Sequence, residues 1–460
     1  MTFFRAGLRR WLRRGGILFL SLIVLYVVGR PIQIWLDGFY SGDRAPYLQM
    51  PAATAMSIRW QSKEKYSGVI HYGIKANQLD LEQKETSPDT EHEVRLSGLK
   101  PATRYFYSAG NETSAEYKGE QFWFRTSPLT GAASNDYKPV RFWVTGDQGD
   151  RNKIQQQVRD TALSWVKQHP RKGENPLAYD FWLTTGDNAY RSGTNPQFQS
   201  EFFEPYKAIL RHTPVWPIYG NHDARRWVFF NIFSFPDEAQ SGGVASGTEH
   251  YYSFDYENIH FIVFDTVEGD LDPQGKMIKW LVRDLKQTKQ QWLIAVSHHP
   301  PYTKGSHDSD NPRDSGGRLI KIRKNILPIL EKAGLDLYLS GHSHMYERSD
   351  LMGCNYGFSK SFSEKLVLSK SENSVYSKQD NLLSANNGTI YNVLGSSSKV
   401  DDGPLNHPAM PHSLHQAGSL VIDVDQHNLK AYFINNEGKV ADHYMIRKGI
   451  KGGAVSRACK

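Results

Sequence analysis

Cysteine is almost absent from this chain, with Cys354 and Cys459 the only two in 460 residues. Two cannot build a disulfide framework, and they lack the close spacing of a cysteine metal site, so one bridge is the most they allow. Acidic residues are missing from the first thirty positions, which hold Arg5, Arg9, Arg10, Arg13, Arg14 and Arg30. Those arginines supply most of the net charge of +7. The remainder is nearly neutral, so charge gives no ground for a nucleic-acid partner, and none is expected. Long apolar runs are missing as well, which excludes a polytopic membrane protein. The exception is Gly15 to Gly29, about 22 Å long as a helix and flanked by the arginines. Small residues are lacking around Val28-Gly29-Arg30-Pro31, so no good cleavage site follows it. Residues 1–40 therefore predict a cytoplasmic basic arm and an uncleaved signal anchor, with everything after residue 37 outside the cytoplasm, periplasmic or extracellular. Cleavage of the segment would instead give a secreted protein.

What the chain does have is length and an ordinary apolar fraction, enough for two or three domains. Residues 44–128 carry strand patterns only, at 55–60, 68–72, 91–96, 104–109 and 121–125, with turns between them. This predicts a small all-β sandwich of the immunoglobulin or fibronectin III kind. Leu99-Lys100-Pro101-Ala102-Thr103-Arg104-Tyr105 reads as the tyrosine corner of such a sandwich. No ionisable cluster lies there, so its expected role is structural or docking.

After a linker at 136–139 the rhythm changes to strand, loop, helix, strand, predicting an α/β domain over 138–447. Buried strands are expected at 140–144, 181–184, 215–219, 260–264, 293–296 and 335–339. Helical stripes include Ile154, Val158, Ala162, Trp165 and Val166. Residues 353–387, rich in Ser, Lys and Asn, predict a surface insertion. Strands at 389–394, 420–424 and 431–435 are expected to form a second sheet, and 448–460 a loose polar tail.

Five strand ends in this domain deliver oxygen or nitrogen donors: Gly146-Asp147-Gln148-Gly149, Gly186-Asp187-Asn188-Ala189-Tyr190, Gly220-Asn221-His222-Asp223, Ser297-His298-His299-Pro300 and Gly341-His342-Ser343-His344. A lone Gly-Asp is a common turn. Packing alone gives no reason for five strand ends to carry carboxylate, amide, phenol and imidazole together. The pattern predicts a cage for two metal ions, with each glycine freeing the backbone to turn the next side chain inward. A shared carboxylate such as Asp187 can bridge two cations, the arrangement that clamps a phosphoryl displacement. His222 and His307 are left to bind phosphate or to protonate the leaving oxygen.

In this order and with these spacings the blocks resemble those of the purple acid phosphatases, a branch of the calcineurin-like metallophosphoesterases. The resemblance runs over nearly the whole chain after residue 44. It implies a four-layer α/β/β/α catalytic sandwich behind a fibronectin III-like domain. It also implies one ion held by Asp147, Asp187, Tyr190 and His344, and a second by Asp187, Asn221, His298 and His342. Most calcineurin-like enzymes place a His where Gly149 stands; Tyr190 replaces it, and a phenolate favours Fe(III), paired with Fe(II), Zn or Mn. The implied activity is hydrolysis of phosphate monoesters, metal-bound hydroxide attacking phosphorus with His222 and His307 assisting. The same site could serve diesters such as nucleotides or lipid head groups. A non-catalytic adhesion protein would have lost ligands, and none of the seven is missing. Asp223 stands where the family has Glu, outside the ligand set. His298 rather than His299 fits the His-x-Pro spacing, leaving His299 at a solvent or substrate edge, while His307 lies in a polar loop that could equally be plain surface.

Overall fold

The computed structural model describes residues 32–129, 139–171, 179–224, 226–370 and 374–459. The expected anchor at 1–30 and most of the expected linker lie outside these. Among the described residues no helix is long and apolar enough to cross a membrane.

The amino-terminal part is a sandwich of two antiparallel sheets. One contains β1 (Arg44–Gln49), β2 (Met56–Tyr66) and β5 (Asp89–Leu96). The other contains β3 (Val69–Gly73), β4 (Leu81–Lys84), β6 (Arg104–Gly110), β7 (Ala115–Tyr117) and β8 (Trp123–Arg125). Sequence periodicity missed β1, β4, whose side chains are all exposed, and the three-residue β7. The tyrosine corner is present: Lys100 N–H donates to the Tyr105 hydroxyl at 2.9 Å. The sandwich docks firmly on the catalytic domain. Tyr47 joins the core of that domain and donates to the Ile232 carbonyl, while the Arg59 guanidinium donates to Ser234 and to the Asn231 carbonyl.

Two seven-stranded sheets form the catalytic domain. The first runs β11 (Val215–Trp216), β10 (Phe181–Thr184), β9 (Val140–Thr145), β22 (Gly418–Val424), β23 (Asn428–Asn435), β24 (Val440–Arg447), β19 (Val375–Ser377). The second runs β12 (Tyr252–Tyr256), β13 (Ile259–Val263), β14 (Trp292–Val296), β15 (Leu337–Ser340), β20 (Ile390–Leu394), β16 (Tyr346–Arg348), β21 (His412–Leu414). Strands β9, β10 and β11 are mutually parallel, as are β13, β14, β15 and β20. Their apolar residues are buried without alternation, as strands covered on both faces require. Phe142 and Phe181 of the first sheet meet Phe254 and Phe261 of the second edge-on, so the sheets face each other. The helix Lys153–Gln168 is capped by the Asn152 side chain and buries Val158, Ala162, Trp165 and Val166 against the outer face of the first sheet. The helix Lys276–Gln287 buries Met277, Ile278, Trp280 and Leu281 on the second. The order is therefore α/β/β/α, with the parallel strands of both sheets ending at one rim.

Three expectations need correction. The strand at 390–394 does not share a sheet with β22 and β23. It extends the second sheet beside β15, whereas β22 pairs with β9. The region 353–387 is no plain surface excursion: β18 (Val367–Ser369) pairs with β17 (Leu351–Met352), and β19 adds an edge strand beside β24. The tail after Lys448 is not loose. Lys448 and Lys378, both fully buried, clamp Asp336 at 2.8 and 2.7 Å, and Cys459 forms a disulfide with Cys354 across a separation of 105 residues. In the chain-entropy model a loop of that size closes with a stabilisation of about 5 kcal/mol. Composition called the tail polar; its first residue, Lys448, is instead held by a buried carboxylate far away in sequence.

One buried charge cluster supports the second sheet. His260 lies 2.6 Å from Asp255 and 2.7 Å from Asp284, and Asp284 also accepts from Ser253 and from Val244 N–H. Burial disfavours the charged ring, but the two carboxylates outweigh it and raise the His260 pKa to about 9. Since this lies above the ordinary histidine value of about 6.5, the stabilisation is complete below about pH 6.5 and is lost as pH rises through about 9. His260→Gln is expected to cost about 3 to 5 kcal/mol at pH 6, because it strands two carboxylates. It should also flatten the fall of Tm between pH 6.5 and 9. A melting series over that range checks both effects, and an unchanged slope would contradict the charged assignment.

Candidate metal centre

The carboxyl ends of β9, β10, β11, β14 and β15 converge at the shared rim and bring together all seven residues predicted as ligands. Asp147, Asp187 and His298 are essentially without solvent exposure, and their donor atoms lie within 4.8 Å of one another. The Tyr190 hydroxyl lies 3.1 Å from Asp147 Oδ1, 3.0 Å from Asp187 Oδ2 and 3.3 Å from His344 Nε2. On the other side of Asp187, His298 Nε2 is 3.5 Å from Asp187 Oδ1, 2.8 Å from Asn221 Oδ1 and 3.2 Å from His342 Nδ1.

Backbone geometry is more demanding here than a string of flexible glycines would need. Asp147, Asp187 and His342 themselves adopt left-handed conformations, with φ of 56°, 54° and 67°. Each costs of order 1 kcal/mol or more for a side chain with a Cβ. The glycines before them chiefly permit close approach. A Cβ on Gly220 would sit 2.1 Å from Asp187 N, and one on Gly186 2.4 Å from His298 Nδ1.

Every imidazole in the cluster has its outer nitrogen fixed. His298 Nδ1–H donates to the Thr185 carbonyl at 2.8 Å, and His344 Nδ1 faces Asp401 Oδ2 at 2.5 Å. His342 Nε2 lies 2.7 Å from Ser315 Oγ, which itself donates to Asp314 Oδ1 at 2.8 Å and so must accept from the ring. The inner nitrogens of His298 and His342 are thereby left as lone pairs facing each other across 3.2 Å. The Tyr190 hydroxyl has one proton for three acceptors. An arrangement of lone pairs and carboxylates out of water is unfavourable unless positive charge fills it.

Protonation behaviour agrees with that. Burial, then Asp147 and Asp187, hold the Tyr190 phenol well above its ordinary range. Burial and four neighbouring histidines push His342 well below its own. Burial opposes charge on His344, but Asp147 and Asp401 outweigh it and raise the ring. Asp223, raised far above the carboxylate range by burial and by Asp187, accepts from Gly220, Asn188 and Ala189 N–H and from the Asn188 amide. It thus holds the two loops bearing Asp187 and Asn221 together.

His222 sits at the mouth: its backbone N–H donates to Asp187 Oδ1 at 2.7 Å and its Nδ1 lies 2.9 Å from the Arg191 carbonyl. His307 is no plain surface residue. It stacks on His342 with ring centres 3.8 Å apart, and its Nδ1 is 2.9 Å from Asp314. His299, expected at a solvent or substrate edge, is instead buried, with Nδ1 2.9 Å from Thr266 Oγ1. Sequence reasoning missed Asp401, Asp314 and Ser315. For Asp401 a signal existed, because β20 is a further parallel strand followed by a glycine, Gly395, and then by Ser396-Ser397-Ser398-Lys399. The polar turn 314–317 carried none.

Comparison with known proteins agrees with this geometry. Residues 140–346 match the calcineurin-like phosphoesterase family and residues 44–126 the purple acid phosphatase N-terminal domain. Probable purple acid phosphatase 20 of Arabidopsis thaliana is 24% identical over 327 residues, covering 66% of this chain and 68% of that protein. Acid phosphatase type 7 of Danio rerio is 26% identical over 328 residues, covering 64% and 68%. The chain spans 53% of the length of Arabidopsis purple acid phosphatase 21. Among solved structures, purple acid phosphatase PPD1 from yellow lupin seeds superposes with a TM-score of 0.70 at 17% identity, over 89% of this chain and 75% of that one. Two family matches in the right order, a shared fold and the tyrosine-bearing strand end lead to one conclusion: the chain belongs to the purple acid phosphatase family of calcineurin-like phosphoesterases.

Proposed function

We infer that this chain is a binuclear metallophosphoesterase that hydrolyses phosphate monoesters. The observation that carries the reading is the pair of imidazole lone pairs on His298 and His342, facing each other beside buried Asp187. The donor set fits two ions. Asp147, Asp187, Tyr190 and His344 would hold one, and their phenol and carboxylates suit the Fe(III) of the family; Asp187, Asn221, His298 and His342 would hold Fe(II), Zn or Mn. When bound, such ions supply Lewis acidity and a readily deprotonated water.

The remaining chemistry belongs to side chains. His222 gives its Nδ1–H to the Arg191 carbonyl, leaving Nε2 for the phosphoryl group. His307 is oriented through Nδ1 by Asp314, which leaves Nε2 facing the departing oxygen to assist its release. The 353–387 region supports this loop from behind, Ser359 N–H and hydroxyl both donating to Asp310.

Asp187→Ala should lose both metal and turnover. His222→Ala should keep two ions per chain while kcat falls by about 10²- to 10⁴-fold, the share of one positioned acid or hydrogen-bond donor. Metal analysis beside monoester and diester kinetics reads this out. Metal loss in His222→Ala, or unchanged turnover, would refute its role, and faster diester than monoester cleavage by wild type would refute the substrate class.

The same reading places the catalytic domain outside the cytoplasm behind an amino-terminal anchor. Support comes from the arginine cluster before the apolar run and from the Cys354–Cys459 disulfide, a bond that persists in oxidising compartments. A reporter fused after Lys460 should be active only outside the cytoplasm, and intact protein should sediment with membranes. Recovery of soluble protein beginning near residue 30 would show cleavage in place of anchoring.

A further inference from the structure

The Tyr190 ring has two close neighbours besides the ligand cluster. The His222 ring lies tilted with its centre 4.8 Å away, and Lys399 Nζ stands 3.5 Å from the Tyr190 ring centre. That is close for an ammonium over an aromatic ring, well inside the usual 6 Å limit. Lys399 is half-buried, and among the described residues no carboxylate pairs with its ammonium. Its backbone has little freedom. On one side Ser398 and its neighbours are fully buried, with Ser398 Oγ donating to the Asp147 carbonyl and Ser398 O accepting from the Asn152 amide at 2.8 Å. On the other, Asp401 holds His344. The loop after β20 is therefore pinned to the centre at two points that bracket Lys399.

A lysine placed there has no evident packing purpose, since its charge could reach water. Nor does it neutralise a surface carboxylate. Its effect is electrostatic. A unit positive charge about 3.5 Å from the ring stabilises a phenolate strongly and a neutral ring weakly, because Coulomb attraction at that range remains large even at the effective dielectric of a protein rim.

We propose that Lys399 is a tuning residue for Tyr190, setting the energy at which the tyrosinate gives up electron density to the ion it binds. This rests on the reading of Tyr190 as an Fe(III) ligand. Light absorbed by such a pair moves one electron from phenolate to iron. The ring passes from negative to neutral, so the attraction to Lys399 present before the transition is lost after it. The ammonium therefore raises the transition energy, and removing it moves the band to longer wavelength.

The test is the visible absorption maximum of purified, oxidised, metal-loaded protein, with iron content measured on the same samples. Lys399→Met and Lys399→Gln remove the charge at similar length; Lys399→Arg retains it. Both neutral variants should shift the maximum to longer wavelength by an amount on the order of tens of nanometres. Lys399→Arg should stay near wild type. A neutral variant with full iron and an unmoved band would overturn the proposal, as would an equal shift in Lys399→Arg. Spectra are compared per bound iron, so a neutral variant that loses part of its iron is still read by the position of its band. A wild type with iron but no visible band would instead overturn the Tyr190 reading, and the proposal with it.

Discussion

Everything in the catalytic half depends on the Asp187 carboxylate, held out of water between a phenol on one side and an imidazole on the other. One oxygen meets Tyr190 at 3.0 Å; the other accepts from His222 N–H at 2.7 Å and lies 3.5 Å from His298. A carboxylate in that position, with Asp147 close by, is stable only where positive charge is available. The left-handed backbone at Asp147, Asp187 and His342 adds to the cost, as does the crowding that forces glycine at 186 and 220. Metal binding offsets both, so the folded state and the loaded state are thermodynamically linked.

The surrounding structure is arranged to hold this cluster still. Two faced sheets bring five parallel strands to a common rim, so donors separated by nearly two hundred residues sit within hydrogen-bonding distance. Behind each imidazole stands a second group: Thr185 for His298, Ser315 for His342, Asp401 for His344. These partners decide which ring nitrogen carries a proton, and hence which faces the ions. Asp223 does the same for the loops, accepting backbone hydrogen bonds from Gly220, Asn188 and Ala189.

Much of this could be read from the sequence because each strand leaves a local trace, a short buried apolar run followed by a small residue and a donor. Five such traces in order located the donors at 147, 187, 190, 221, 298, 342 and 344, and the tyrosine corner located the sandwich. What escaped was non-local. Periodicity cannot say which sheet a strand joins, so 390–394 was grouped with 420–435 when its neighbour is β15. Polarity could not reveal that Lys448 is paired with Asp336, nor that His299 is buried against Thr266 and not at a solvent edge. Asp314, Ser315 and Asp401 matter only through what they touch, and contact is not written in the spacing of residues.

The central claim is that Tyr190 is the donor that sets this centre apart from a pair of divalent ions. Metal analysis joined to the visible spectrum tests it most directly. Two ions per chain, one of them iron, should accompany a charge-transfer band in the wild type that disappears in Tyr190→Phe. Fully loaded wild-type protein that is colourless and free of iron would contradict the account.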